Sequence, residues 1–313
     1  MPLFSVVIPT YNREAYVGAT LASLAAQRLG DWELIVVDDG STDGTLAVVE
    51  GFAETQPGRV RVLRQEHGGC AAARNRGARA AAGEYLAFLD SDDLWFPWTL
   101  EVLAAQIAAH DRPTMVAMTL FPFSDETRVH GVTETPPRVE SGRDFFADAL
   151  RLGFALGVAH TVCRREAYLA VGGCLERNIN GTDTDVLMRM GDRPGFVRVY
   201  DPPLLAYRHH PGAVTENPVK GHAGAVMLIE CEQSGEYPGG PTRAAERRRQ
   251  VLIRVRAVSL LCLANGRADL AWDLYRRTFA WNAVAARVRY LAGFPALWAW
   301  RSLTGKTVVK RAD

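Results

Sequence analysis

Three aspartates stand within four residues, Asp90, Asp92 and Asp93, directly after the apolar run Tyr85-Leu86-Ala87-Phe88-Leu89. A short apolar, aromatic run of this kind suits a strand buried on both faces. Like charges clustered at its end repel one another, so folding alone gives no reason to place them there. A hard divalent cation removes the conflict, because Mg2+ or Mn2+ takes carboxylate oxygens and leaves positions for phosphate oxygens. In open α/β sheets, ligands bind beyond the carboxyl ends of strands, where these aspartates fall. The plainer alternative is a capping turn, with Ser91 or Asp92 as N-cap of a helix after Pro97.

The segments before the aspartates alternate between strand and helix patterns and must position these groups. Residues 4–8 are β-branched and apolar and read as a central strand stopped by Pro9, with Thr10-Tyr11-Asn12-Arg13 as the loop at its end. A helix follows to about residue 27, and residues 32–37 form a second strand ending in Asp38-Asp39-Gly40-Ser41-Thr42-Asp43. Residues 59–63 make a third strand, His67-Gly68-Gly69 leads into an Ala- and Arg-rich helix over 70–82, and the aspartate strand comes next. Strands alternating with helices predict a mostly parallel sheet covered on both faces. Right-handed crossovers bring the strand ends, two of them carrying paired aspartates, to one edge.

The spacing further predicts a helix over 97–109, one strand over 114–121, a polar loop or irregular hairpin over 124–138 and a short helix over 145–152. A strand over 159–164 precedes a helix ending at Gly172-Gly173. A second helix over 185–190 places Asp183 at its N-terminus, where it can serve as a simple cap or as a reactive carboxylate. Short strands at 197–200 and 204–208 lead to His209-His210 and the segment 211–215. From about 218 onward the pattern is helical, over 221–232, 243–263, 269–278 and 280–303.

Composition excludes several classes. Lys and Arg number 36 against 35 Asp and Glu, so nothing in the overall charge calls for nucleic acid as the main partner. The five cysteines, Cys70, Cys163, Cys174, Cys231 and Cys262, contain no CxxC and suit buried, reduced thiols. The first residues lack the basic segment of a signal peptide, and no apolar stretch is long enough to span a membrane.

Four segments agree in order and spacing with a known pattern: Val7-Ile8-Pro9-Thr10-Tyr11-Asn12, Val36 through Thr45, Ala73-Arg74-Asn75-Arg76-Gly77, and Phe88 through Asp93. Together they resemble the family 2 glycosyltransferases of the glycosyltransferase A fold, most specifically over residues 3–95 and less so to about 215. The resemblance implies an α/β, Rossmann-like, mostly parallel sheet with a C-terminal helical extension. It implies a catalytic domain over 1–215, with a nucleotide-binding half over 1–95 and an acceptor half over 96–215, and a helical region over 216–313. The implied activity moves a sugar from a nucleoside-diphosphate sugar, a UDP-sugar being favoured, to an acceptor hydroxyl with inversion, assisted by Mn2+ or Mg2+. Bacterial surface polysaccharide or glycoconjugate synthesis is the implied setting.

Carried over residue by residue, the resemblance gives Pro9 and Tyr11 as the frame of the base and Asp39 as acceptor for uracil N–H or ribose hydroxyls. Arg74 falls near the diphosphate, Asp90 at the ribose or a water on the metal, and Asp92 on the metal itself. Arg208 would neutralise the leaving group, and His210 could do so or ligate the metal. Alignment on Asp185, Leu187 and Arg189 puts the family's catalytic aspartate on Asp183, with Thr182 replacing its usual Glu partner.

Two other readings compete. A metal-dependent nucleotidyltransferase also uses a Rossmann-like sheet and aspartates, but its Gly-rich phosphate loop is replaced here by Pro9-Thr10-Tyr11-Asn12. A non-catalytic nucleotide-binding scaffold of the same fold would have no need of both Asp90-Ser91-Asp92 and Asp183. The expected partners are the donor and a carbohydrate or lipid-linked acceptor, with no nucleic acid and with homo-oligomerisation left open. The aromatic stripe of 280–303, flanked by Arg287, Arg289 and Arg301, suits either packing on protein or an interfacial membrane helix. The expected location is accordingly the cytoplasm, or the inner face of the plasma membrane as a peripheral protein.

Overall fold

The computed structural model describes residues 1–153, 157–210 and 217–304, and the chain divides into two compact units. The first comprises residues 1–177 with 183–211, the second 178–182 with 212–313. The expected boundary at 215, and the segment 211–215 after the histidine pair, lie outside the described residues.

In the first unit, β1 (Phe4–Thr10), α1 (Glu14–Ala25), β2 (Trp32–Asp38), α2 (Thr45–Glu54), β3 (Val60–Arg64), α3 (Cys70–Ala80) and β4 (Tyr85–Phe88) follow in strict alternation. Their strands pair in parallel in the order β3-β2-β1-β4. The chain builds outward from β1 to β3 and then returns to the far side of β1, which puts a topological switch point between β1 and β4. Every residue of β1 and β4 is buried, as a strand covered on both faces requires.

Pro9 lies inside β1 rather than ending it. Val7 O accepts from Leu89 N at 3.1 Å, and the pairing with β4 stops there. Pro9 points the same way two residues later, where no partner needs the N–H it lacks. On the other face α3 comes close enough to the sheet that a Cβ on Gly77 would lie 2.4 Å from a Val7 methyl carbon.

Beyond β4 come β5 (Leu94–Trp95), α4 (Thr99–Ala109), β6 (Met115–Ala117), β7 (Leu120–Phe123), α5 (Thr127–His130), β8 (Arg138–Asp144) and α6 (Phe145–Asp148). A 3-10 turn over Val158–His160 leads to β9 (Thr161–Arg164), α7 (Arg165–Ala170), α8 (Thr182–Arg189), β10 (Pro194–Asp201) and β11 (Leu205–Arg208). Among the described residues, the main sheet continues as β4-β9-β6-β10-β8, with β9 antiparallel to both its neighbours. A second sheet has the order β5-β11-β7.

The single strand expected over 114–121 is thus two strands in two sheets. At the break Met118 N donates to His160 O (2.9 Å), and Thr119 O accepts from Leu204 N (3.1 Å). The polar stretch expected as a loop or irregular hairpin over 124–138 contains α5 and leads into β8, an edge strand whose residues are mostly exposed.

The second unit holds α9 (Pro218–Ser234), α10 (Ala244–Ala264), α11 (Ala268–Val284) and α12 (Val288–Thr304). Asn217 caps α9, its Oδ1 accepting from Val219 N and Lys220 N at 3.0 Å each, and Pro218 occupies the first turn. Gly235, left-handed at φ 76°, ends it. The aromatic stripe expected as one helix over 280–303 is split at Ala286, whose φ is 51°. Two of its rings pack within the unit: Trp298 meets Trp272 at 4.7 Å and donates to Ala268 O (2.9 Å), while buried Phe294 stacks on Tyr275 at 5.2 Å; Trp300 is exposed. All five cysteines are free, and all but Cys70 are buried.

One carboxylate braces the opening strands. Glu33 Oε1 accepts from Ser5 Oγ (2.6 Å), Ala82 N (2.6 Å) and Gly83 N (3.2 Å), and Arg61 lies 2.9 Å from its other oxygen. Burial raises the Glu33 pKa, but these hydrogen bonds and the Arg61 charge outweigh it, and the net shift is downward. Stability from a depressed carboxyl is present above the ordinary carboxylate range and is lost as pH falls through the folded-state value. Glu33→Ala should therefore lower unfolding stability in urea at pH 7 by roughly 1–3 kcal/mol, the scale of buried groups left unsatisfied. The gap from wild type should narrow as pH falls below the ordinary carboxylate range, where the Glu33 carboxylate protonates. An unchanged gap across that range would remove the charge of Glu33 from the explanation.

Candidate active site

The switch point between β1 and β4 opens a crevice at their carboxyl ends, and the loops 11–13 and 89–93 face each other across it. The crowded aspartates are parted there by three different elements. Asp90 Oδ1 accepts from Arg74 Nη2 of α3 at 2.5 Å. Asp92 Oδ2 lies 3.2 Å from Arg13 Nε, at the start of α1, and 3.1 Å from His210 Nε2 beyond β11. Asp93 is 1% exposed, and its Oδ1 accepts from the backbone N–H of Arg208 at 2.8 Å. Burial first, then the charge of Asp90, pushes the Asp93 carboxyl well above the usual range. It is therefore a joint between β5 and β11 rather than an exposed anion.

Arg208 closes this corner. Its Nε donates to Asp92 O (2.7 Å), its Nη2 lies 2.6 Å from Glu126 Oε1, and its guanidinium sits over the rings of Phe123 (4.7 Å) and Tyr16 (5.3 Å). The His210 ring lies 5.0 Å from Tyr16.

The loop after β2 forms the other wall. Asp39 is 2% exposed, and its oxygens accept from Gln65 Nε2 (2.7 Å), Gly68 N (2.9 Å) and Gly69 N (2.8 Å). It thus occupies the N-terminus of α3, where the helix dipole favours a carboxylate. His67 Nδ1 lies 2.9 Å from the same group, and the His67 ring stacks on Tyr11 at 4.1 Å. Tyr11, 39% exposed, is what this wall presents outward, with Pro9 in the strand beneath it. Asn12, at φ 51°, ties the β1 and β2 loops together, taking Ser41 Oγ as acceptor (3.0 Å) and receiving Thr42 N (2.8 Å).

Asp183 and Asp185 are two residues apart on α8 and meet different surroundings. Asp185 is buried and paired with Arg189, one helical turn on, with Nη2 at 2.6 Å and Nε at 2.8 Å from Oδ2. Arg189 also donates to Val171 O and to Gly173 O (2.5 Å). Asp183 is half-buried, and among the described residues nothing hydrogen-bonds its carboxylate. It lies within electrostatic range of Arg74, as does Asp90; burial opposes the Arg74 cation, yet the acidic groups around it hold its pKa up. His160 also feels both Asp183 and Asp90, but burial dominates and pushes its pKa down.

A clamp that the residue pattern did not reveal connects these two helices. Asn75, next to Arg74 on α3, donates from Nδ2 to Cys174 O (2.7 Å) and Glu176 Oε1 (2.9 Å). Its Oδ1 accepts from Cys174 N (2.8 Å) and the Tyr168 hydroxyl (2.9 Å). Gly173, at φ 72°, lets the turn pass: a Cβ there would lie 2.3 Å from Asn75 Oδ1. The turn 172–174 is thus held from α3 by Asn75 and from α8 by Arg189. Arg13, His67 and Asn75 are the site residues that sequence reasoning left without roles. Arg13 closed a recognised loop; the other two gave no signal beyond their motifs.

As a metal site the arrangement is sparse. Among the described residues no three His, Cys, Asp or Glu side chains gather closely enough to enclose a cation. Asp90 is turned to Arg74, so it does not join Asp92 and His210 in one cluster. Asp92 Oδ1 is nevertheless unengaged among the described residues, with the His210 imidazole beside it. One carboxylate, an imidazole and phosphate oxygens from a ligand form a donor set that Mg2+ or Mn2+ accepts.

Residues 5–168 match the family described as Glycosyl transferase family 2, over half of the chain. The chain belongs to that family. Within it, the chain is 29% identical over 229 residues to the uncharacterized glycosyltransferase EpsJ of Bacillus subtilis, covering 70% of this chain and 65% of EpsJ. It is 40% identical over 101 residues to WfgD of Escherichia coli, a UDP-Glc:alpha-D-GlcNAc-diphosphoundecaprenol beta-1,3-glucosyltransferase, covering 32% of this chain and 39% of WfgD. The chain thus spans less than two thirds of these relatives.

Among solved structures, S. aureus TarS 1–349 in complex with UDP-GlcNAc superposes with a TM-score of 0.60 at 20% identity, covering 90% of this chain and 92% of that one. The mannosyltransferase PcManGT from Pyrobaculum calidifontis, in complex with GDP-Man and Mn2+, gives 0.56 at 19% identity, covering 97% and 88%. These likenesses bear out the expected glycosyltransferase A fold.

The two α8 aspartates should separate in stability. Asp185→Asn strands a half-buried arginine and should cost about 3 kcal/mol in urea unfolding, the scale of a broken buried ion pair. Asp183→Asn should stay within about 0.5 kcal/mol of wild type, as a substitution that breaks no hydrogen bond among the described residues does. Equal losses in the two variants would contradict this assignment.

Proposed function

We propose that this family 2 protein is an inverting glycosyltransferase that moves a sugar from a nucleoside-diphosphate sugar, a UDP-sugar being favoured, to an acceptor hydroxyl. The observation that carries the reading is the contrast between Asp183, whose carboxylate makes no hydrogen bond among the described residues, and Asp185, which is locked to Arg189. A general base must keep its lone pairs for the incoming proton, and only Asp183 does so.

In this reading the base of the donor lies along Tyr11, which His67 and Asp39 hold in place, with the Pro9 backbone behind it. Arg74 faces the diphosphate and, through Asp90, fixes the ribose side of the crevice. Asp92 and His210 would hold Mn2+ or Mg2+, a reading supported by PcManGT, a protein of similar fold in complex with GDP-Man and Mn2+. When bound, the cation supplies Lewis-acid stabilisation of charge on the departing diphosphate. Arg208, anchored by Glu126 and two rings, adds a fixed positive charge at the same corner.

Asp183 takes the proton from the acceptor hydroxyl as that oxygen attacks the anomeric carbon from the face opposite the diphosphate. A single displacement of this kind inverts configuration. The acceptor we favour is a carbohydrate, lipid-linked as in the WfgD name, in bacterial polysaccharide or glycoconjugate assembly.

Nucleotide-sugar turnover tests this directly. Wild-type protein with Mn2+ should release a nucleoside diphosphate from a UDP-sugar; no release there, with pyrophosphate formed instead from a nucleoside triphosphate and a sugar 1-phosphate, would assign a nucleotidyltransferase. Asp183→Asn should lose transfer by roughly a hundredfold or more, the scale of a missing general base, while its affinity for UDP is unchanged. Asp92→Ala should abolish the Mn2+-dependent part of UDP binding seen by calorimetry. Near wild-type transfer by Asp183→Asn would overturn the choice of base, and metal-dependent binding retained by Asp92→Ala would remove Asp92 as a ligand.

A further inference from the structure

Residues 217–304 carry thirteen Lys and Arg against six Asp and Glu, although the whole chain is nearly neutral. The acids of this helical unit are taken up locally. Glu232 holds Arg247 and Arg248, Glu246 holds Arg243, and Asp269 holds Arg267. Asp273 holds His222 and Arg277, Glu230 lies 3.6 Å from Arg277, and Glu236 accepts from Ser234. What remains is a face of cations without carboxylates.

On α10, Arg249, Ile253, Arg256 and Leu260 are all exposed, the two aliphatic residues at 38% and 44%. At 3.6 residues per turn they fall within an arc of about 60°, a stripe that alternates arginine with aliphatic. The corner between α11 and α12 joins it: Arg287 is within electrostatic range of both Arg249 and Arg256, and its neighbours Val284 and Val288 are 88% and 68% exposed. Among the described residues no carboxylate pairs with any of the three arginines. Folding gains nothing from gathering them there, since like charges repel.

We infer that this face docks on an anionic lipid bilayer. A soluble polyanion would satisfy the arginines but would leave Ile253, Leu260, Val284 and Val288 in water. A bilayer satisfies both, taking aliphatic side chains at the headgroup boundary while the guanidinium groups reach the phosphates. No helix of the described residues is long and apolar enough to cross a membrane, so the contact is peripheral. The surface takes only Val284, Arg287 and Val288 from the stretch 280–303 and none of its rings, of which Phe294 and Trp298 pack on α11. The inference goes beyond the transfer reading and uses none of its residues.

The test is co-sedimentation of the full chain with vesicles of phosphatidylcholine alone or mixed with phosphatidylglycerol, at low salt, with far-UV circular dichroism as the check on folding. Wild type should bind the mixed vesicles and be released by salt, since the attraction is screened. Each arginine at such a surface is worth roughly fivefold, so Arg249→Glu/Arg256→Glu should weaken binding by roughly twentyfold or more. Ile253→Ser/Leu260→Ser should weaken it severalfold, and Arg276→Glu, exposed on the Asp273 side of α11, should bind as wild type. Equal binding to neutral vesicles, or no loss in the charge-reversed variant, would overturn the proposal. So would undiminished binding by the serine variant together with competition by soluble polyphosphate, which would assign the arginines to a dissolved polyanion.

Discussion

The architecture of the crevice depends on one electrostatic constraint: three carboxylates leave a buried strand within four residues, and they cannot stay together uncompensated. The structure answers by sending each to a different neighbour. Asp90 meets a helix arginine, Asp92 meets Arg13 and His210, and Asp93 is buried against a backbone N–H. These pairings pull α3, the start of α1 and the end of β11 to one place. The site is therefore assembled by the same contacts that make the strand end tolerable.

A second consequence follows for the helix that carries Asp183. Arg74 and Asn75 are consecutive on α3, one turned to Asp90 and the other to the turn at 172–174. The same turn is gripped by Arg189 of the helix that carries Asp183. Two consecutive residues thus fix Asp90 and the helix that carries Asp183 relative to each other, the latter through backbone carbonyls and amides, which move less than side chains on loops. The matched segment Ala73-Arg74-Asn75 makes sense as a structural unit as well as a chemical one.

Much of this was legible in the chain because the first ninety residues agree at every level: apolar strands, capped helices and polar strand ends in regular alternation. The second half was less legible for identifiable reasons. β5 has two residues, too few to show a period, and β8 is an exposed edge whose polar sequence looks like a loop. β6 and β7 read as one strand because the crossing between sheets at Met118-Thr119 is made by hydrogen bonds to distant residues. Pro9 looked like a stop because its tolerance depends on where β4 ends. Asp39 looked available to a ligand, and only the folded loop at 65–69 shows its oxygens occupied. The aromatic tail could not be resolved from spacing, since packed and interfacial rings share one pattern until the partner helix is known.

The central claim is that Asp183 acts as base in a single displacement across this crevice, and the stereochemistry of the first-formed product tests it most directly. The protein would be incubated with Mn2+ and a UDP-sugar of α configuration, with acceptor or with water in its place. The anomeric proton of the released or transferred sugar would be followed by NMR before mutarotation. The account predicts that the β-anomer forms first; an α-linked or α-configured first product would contradict it and require a double displacement or a front-face mechanism.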